Sequence, residues 1–188
     1  LSFLPLSHTF ERTIGYYVGI MAGCRAVYNR SIKYIVEDLQ LYQPTTLISV
    51  PRVFERFYSR IMRSISEGSK VKKILFEKTV ELGWRKFQYD QKVINWFPSL
   101  LLWPLLDRVI AAKIRELTGG RLRFAIIGGA PLPYDVAKFF ASIGIPLIQG
   151  YGLTESSPVI SVNTEAGNRL DTIGLPLRGV EVCIGDDD

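Results

Sequence analysis

One histidine, His8, and two cysteines, Cys24 and Cys183, are all that this 188-residue sequence holds of the strongest metal-binding side chains. That scarcity excludes a multi-histidine metal site, and the wide separation of the cysteines gives neither a disulfide framework nor a zinc-ligand spacing. A reducing, cytoplasmic setting is the expectation. A long hydrophobic run is missing too. The best one, Trp96 to Leu106, is interrupted by Pro98, Ser99 and Pro104 and falls short of the roughly 20 residues a bilayer-crossing helix needs. No secretory leader is legible and no methionine opens the chain. It starts in the apolar string Leu1 to Leu6 and stops at Asp186-Asp187-Asp188, which reads as a solvated turn. The expectation is a middle piece of a longer protein. Internal repeats and low-complexity tracts are absent as well.

What is present suits a folded domain: 47% of the residues are hydrophobic and 22% charged, enough apolar side chain to bury a core. Residues 1–6, 46–50 and 123–127 form short apolar β-type runs, the first two bounded by proline and the last by glycines, and 145–148 and 180–184 read the same way. Between them Ile32, Ile35, Val36 and Leu39, then Val53, Phe57, Ile61 and Ile65, recur at helical spacing, with Ser31 and Pro51 as helix starts. From Pro131, taken as the first residue of a helix, Leu132, Val136, Phe139, Phe140 and Ile143 share one face, and Gly144 stops it. Strand, helix, strand in series predicts an α/β fold, a layered and mostly parallel sheet with flanking helices.

Residues 67 to 118 break that rhythm with two long helical stretches, about 70–92 and 99–118, and no strand between them. This helical insertion is basic: seven lysines and arginines oppose three acids over 70–92, accounting for +4 of the formal +5. Beside it lie Trp96, Phe97, Leu100, Leu101, Leu102, Trp103, Leu105 and Leu106. Basic residues next to aromatics suit peripheral contact with an anionic membrane through 70–106, although a helical hairpin packing its own apolar face would carry the same pattern. No recognition motif accompanies the charge, so nucleic acid is not an expected partner.

Two strings carry the chemistry. Gly128-Gly129-Ala130-Pro131 follows the 123–127 strand, and Gly150-Tyr151-Gly152-Leu153-Thr154-Glu155 follows the 145–148 run. In an open α/β sheet, ligands bind beyond the carboxyl ends of strands, so both strings are expected to line one crevice. Paired glycines let a flat ring lie against backbone, as a nucleotide base would. Tyr151 offers a stacking face, Gly152 a close approach, Thr154 a hydroxyl for a phosphate oxygen, and Glu155 a ligand for a hard cation. Each piece alone is equally well a tight turn or a local cap.

With Thr172 to Val182 behind them, these strings resemble the AMP-forming adenylating enzymes: acyl-CoA synthetases, luciferases and adenylation domains. The strings Leu4 to Arg12 and Val50 to Arg56 look most like the long-chain fatty acid:CoA ligase branch, as does the helical insertion. The resemblance covers essentially the whole chain, as a central fragment (1–188) of the AMP-binding domain. It implies that Gly128, Gly129, Ala130 and Pro131 pack on adenine, with Gly150, Tyr151 and Gly152 against its other side. Thr154 would bond the α-phosphate and Glu155 would ligate Mg2+. It also implies an acyl site bordered by His8, Phe54 as an aromatic gate, Pro158 and Val159.

The implied reaction has two steps, in which a fatty carboxylate attacks the α-phosphate of ATP and coenzyme A thiol then takes the acyl group. Both substrates of the first step are anions, so catalysis rests on positioning and charge neutralisation, and no protein nucleophile is required. The family's Ser/Thr/Gly-rich phosphate loop, ribose-binding aspartate and catalytic lysine are not among these residues, so the 188 residues alone are expected to form no appreciable acyl-CoA. Two alternatives stand beside this reading. One is an adenylating enzyme for another carboxylate or a carrier-protein acceptor; the other is a basic membrane-docking or interaction domain that keeps the strings for folding alone.

Overall fold

β-branched and aliphatic runs pair into a five-stranded mixed sheet, in the order β1-β2-β3-β4-β5, in the computed structural model, which describes residues 1–185. Asp186 to Asp188, read above as a solvated turn, lie outside the described residues. A π-helical segment, Glu11–Val18, runs into the single turn α1 (Gly19–Met21). α2 (Ile35–Tyr42) precedes β1 (Thr46–Ser49), α3 (Pro51–Ser66) and α4 (Lys70–Asp90). Short helical turns then follow one another from Pro98 to Thr118, including α5 (Trp103–Leu106) and α6 (Ala112–Arg115). β2 (Phe124–Ile127), α7 (Tyr134–Ser142) and β3 (Leu147–Gly152) make a strand-helix-strand unit, closed off by β4 (Val159–Val162) and β5 (Leu175–Pro176).

β1, β2 and β3 are parallel, with Ser49 opposite Ile127 and Ile127 opposite Gln149, whereas β4 and β5 add antiparallel edges. Their pairing requires Gly174 (φ +82), because a Cβ there would run into the backbone of Val162 and Asn163. The layered α/β expectation holds, and the sheet is mixed rather than wholly parallel. Three local expectations are corrected. Residues 1–6 contribute one parallel bridge, Ser2 to Tyr28, in place of a strand, since Pro5 supplies no N–H to extend a ladder. The 180–184 run finds no neighbour among the described residues and leaves Val182 and Ile184 exposed. Pro131 does not open α7. Pro131 and Pro133 each push the preceding residue toward extended backbone, so the helix begins at Tyr134 with Pro133 as its cap.

The core is aromatic where α3, α4 and α7 meet. Phe54 packs edge-on against Phe140 at 4.9 Å and against Phe57 at 6.0 Å, and Phe139 touches Tyr58, Phe76 and Phe140. α4 starts on Ser69, whose Oγ accepts from the Lys72 N–H at 3.3 Å. Its Gly83 is buried against α7 so closely that a Cβ there would run into the Ser142 carbonyl oxygen and the Trp103 ring. Among the described residues, no helix is long and apolar enough to cross a membrane. Asp38, fully buried on α2, fastens the incoming chain. It accepts from Asn29 Nδ2 at 2.6 Å, from the Arg30 N–H at 3.0 Å and from Arg30 Nε at 2.7 Å, and the Arg30 guanidinium holds its carboxyl below the usual carboxylate range.

Two measurements follow from this packing. Gly83→Ala, which in an exposed helix would stabilise by about 1 kcal/mol, is expected to destabilise by about 1–3 kcal/mol through overpacking; an unchanged or raised melting temperature would contradict the contact. Because Asp38's folded pKa is lowered, its stabilisation is present above the ordinary carboxylate range and lost as pH falls through the folded value. The stability difference between wild type and Asp38→Asn should therefore shrink as urea melts are taken from neutral to acid pH.

Candidate active site

β2 ends at Ile127, opposite Gln149 of β3, and β3 runs on to Gly152; the chain leaving each one builds half of the site. Ile127 gives way to Gly128, which is buried and whose N–H reaches back to the Ser49 carbonyl at 3.3 Å. Gly129 follows with φ +83, a left-handed conformation that favours glycine. Ala130 and Pro131 are exposed at the tip. The loop is then fastened to the neighbouring strand: the Leu132 N–H donates to Gln149 Oε1 at 3.1 Å. Gln149 is thus the tie between the glycine loop and the strand that carries Tyr151, Thr154 and Glu155.

On β3, Gly150 pairs with Val162, and the register shifts between Tyr151 and Gly152. This bulge brings Gly152 against the Pro158 carbonyl so tightly that no Cβ fits. The backbone turns back through a 3-10 turn, Thr154–Ser156, and Ser157 in the left-handed region (φ +62). Ser156 fixes it: its Oγ accepts from the Leu153 N–H at 3.0 Å and approaches the carbonyls of Leu153 (2.8 Å) and Pro158 (3.0 Å). The result presents Tyr151, Thr154 and Glu155 exposed at the carboxyl edge of the sheet, with Pro158 buried and Val159 half-buried beneath them. This is an open, rigidly framed turn whose side chains are free to take a ligand.

The remaining expected residues fall in two places. His8 is exposed in the turn before the π-helical segment, where its Nδ1 accepts from the Phe10 N–H at 3.2 Å. The Phe10 ring lies against Gly128, 3.1 Å from where a Cβ would stand, so the histidine turn touches the glycine loop through Phe10. The flat ring resting on Gly128 is therefore this chain's own. Next to it Glu11 is fully buried, accepting from Ser2 Oγ, and burial pushes its carboxyl pKa up. Phe54 stands apart from these. Its ring is 0% exposed and fills the aromatic core between α3 and α7.

Three residues that matter here were not singled out from sequence. Gln149 is a polar residue closing an apolar strand, a signal that was available. Phe10 left no local pattern, because its contact with Gly128 is long-range. Asn163 is buried on the same sheet, where its Nδ2 donates to the Arg169 and Thr172 carbonyls at 3.2 and 2.8 Å and so anchors the 169–172 turn behind β4.

Residues 1–188 match the family model described as AMP-binding enzyme. The chain belongs to the AMP-binding enzyme family. It is 34% identical over 211 residues to the long-chain-fatty-acid–[acyl-carrier-protein] ligase AEE15, chloroplastic, of Arabidopsis thaliana, covering 99% of this chain and 29% of that protein. It is 35% identical over 186 residues to long chain acyl-CoA synthetase 2 of the same plant, covering 96% and 26%. The fold matches the crystal structure of the N-terminal domain of FACL13 from Mycobacterium tuberculosis, with a TM-score of 0.53 at 18% identity over 92% of this chain and 32% of that one. The chain therefore spans less than a third of the relatives it matches.

Gly152→Ala tests the turn directly. The added methyl must displace the Pro158 carbonyl, so nucleotide affinity in the full-length protein is expected to fall about tenfold or more while β1 and β2 stay folded. Equal affinity by calorimetric titration would show that the 153–157 turn is not where nucleotide binds.

Proposed function

We propose that the parent protein activates a long-chain fatty carboxylate with ATP as an acyl-adenylate and passes the acyl group to coenzyme A, and that these 188 residues are a central piece of its adenylation domain. The observation that carries this reading is the Leu132 to Gln149 hydrogen bond, which holds the glycine loop and the Thr154-Glu155 turn at one edge of the sheet. Ala130 and Pro131 then offer an adenine face, with Gly150, Tyr151 and Gly152 opposite. The exposed Thr154 hydroxyl is available to donate to an α-phosphate oxygen.

Glu155 is the residue that would hold a magnesium ion. It is an exposed carboxylate, and Mg2+ takes one or two carboxylates and completes its shell with water and phosphate. When bound, Mg2+ neutralises phosphate charge that would otherwise repel the fatty carboxylate. The protein's own part is positioning. Thr154 orients the α-phosphate, the Phe10-Gly128 contact holds the His8 turn beside the glycine loop, and Pro158 and Val159 border the acyl group.

A carrier protein in place of coenzyme A as acceptor is the second reading, favoured by the similarity to a relative named as an acyl-carrier-protein ligase. Peripheral membrane contact in a cytoplasmic setting belongs to the same proposal. It is supported by Trp96, Leu101, Leu102 and Leu105, all more than half exposed, with Lys92 and Arg108 beside them. In the full-length protein, fatty-acid-dependent ATP–pyrophosphate exchange is expected to fall by about 10^2 in Thr154→Ala. In Glu155→Gln, the Mg2+ concentration for half-maximal exchange should rise. Unchanged exchange in both variants would overturn the assignment.

A further inference from the structure

The positive charge read from sequence at 70–92 is not the most organised on the molecule. Arg52, Arg56, Arg60 and Arg63 lie on the exposed face of α3, three of them at four-residue intervals, and with Glu55 and Ser59 they line a surface cavity of about 470 Å³. All four are exposed, and among the described residues none takes part in an ion pair. Like charges at i,i+4 destabilise a helix by about 0.2–0.5 kcal/mol per pair, and the acids at helical spacing, Glu55 three residues after Arg52 and Glu67 four after Arg63, form no ion pair with the row among the described residues. The opposite face of α3 is fully committed, with Phe54, Phe57 and Ile61 buried in the core. The helix that carries the arginines is therefore anchored through its buried face.

We propose that this row docks an acidic helix of a partner protein that delivers or accepts the acyl group. The inference rests on the adenylating reading above and names the acceptor's chemistry. Three features select this occupant. Arg52, Arg56 and Arg60 repeat at about 6 Å along the axis, the spacing at which a facing helix places carboxylates at i and i+4. The residues that line the cavity are all polar or charged, and Met62 is the only large apolar side chain of α3 that is exposed, so the face lacks the large apolar residues that enter a lipid surface. No aromatic side chain lines the cavity for stacking a nucleobase. Position supports it as well. α3 begins immediately after β1, whose carboxyl end adjoins that of β2, so Arg52 stands at the sheet edge that carries the glycine loop and the row leads away from it over about 16 Å. A partner seated there has its near end at the reaction centre. Arginine suits the task because its planar fork binds a carboxylate through two parallel hydrogen bonds.

The experiment uses the full-length enzyme and purified holo acyl carrier protein, an acidic helical protein, as probe. Fluorescence anisotropy of labelled carrier protein should report saturable binding that weakens with salt and falls about tenfold or more in Arg56→Glu/Arg60→Glu. ATP–pyrophosphate exchange in that variant should equal wild type, which also certifies its folding. Carrier-protein binding that is undiminished by the charge reversal, or absent at low salt, overturns the proposal. So does charge-dependent binding to phosphatidylglycerol vesicles without carrier-protein binding, which would make the row a lipid contact. A Ser59→Cys variant that resists maleimide labelling in the free full-length enzyme also overturns it, because the enzyme's own chain would then cover the face. Loss of exchange in wild type is a different result: it refutes the adenylating reading, not the docking face.

Discussion

The register between β2 and β3 governs the rest of the site. Ile127 and Gln149 face each other across a parallel pair, so the glycine loop leaves β2 beside the last three residues of β3, at the same edge of the sheet. One side chain converts that proximity into a fixed relation, because Gln149 accepts from the Leu132 backbone across the gap. Parallel pairing alone would leave the two loops free to splay. The hydrogen bond sets their spacing, and a buried or half-buried donor left without this acceptor would cost about 1–3 kcal/mol.

Glycine enters the same frame in distinct ways. At 129 the backbone needs positive φ, while at 128 the missing side chain makes room for the Phe10 ring, and at 152 it makes room for the Pro158 carbonyl. These positions differ in what they demand. Gly129 is conformational, with open space around it, whereas Gly152 is steric. The steric requirement at 152 arises from a bulge that precedes the exposed Thr154 and Glu155, so a tight backbone contact adjoins the side chains that stand in solvent.

Much of this was legible in the sequence. β-branched runs ending in glycine located β2 and β3, helical spacing of Val136, Phe139 and Phe140 located α7, and the two motif strings fall in the loops that follow those strands. What the sequence did not disclose was long-range. That Phe10 rests on Gly128, or that Gln149 reaches Leu132, depends on which elements become neighbours, and no local pattern records it. The apolar residues of 1–6 and 180–184 looked like strands because propensity reports what a segment would do given a partner, and neither has a continuous partner here. The surroundings of Phe54 were hidden for a related reason: a motif position marks where a residue falls in the chain, whereas the Phe57 and Phe140 rings that enclose it come from other turns of the fold.

The meeting of Gly83 with Ser142 and Trp103 has a bearing on how segment 67–118 is to be thought of. Sequence rhythm makes it look like a cassette spliced into an α/β scaffold, something to be excised or swapped between homologues. The interlock denies it that modularity. Removing the segment would strip α7 of the surface it is moulded to and lay Phe139 open to water. Replacing it with another helical hairpin would need a residue without a side chain at one particular height along the donor helix. The segment and α7 are therefore moulded to one another, and a transplant has to carry both.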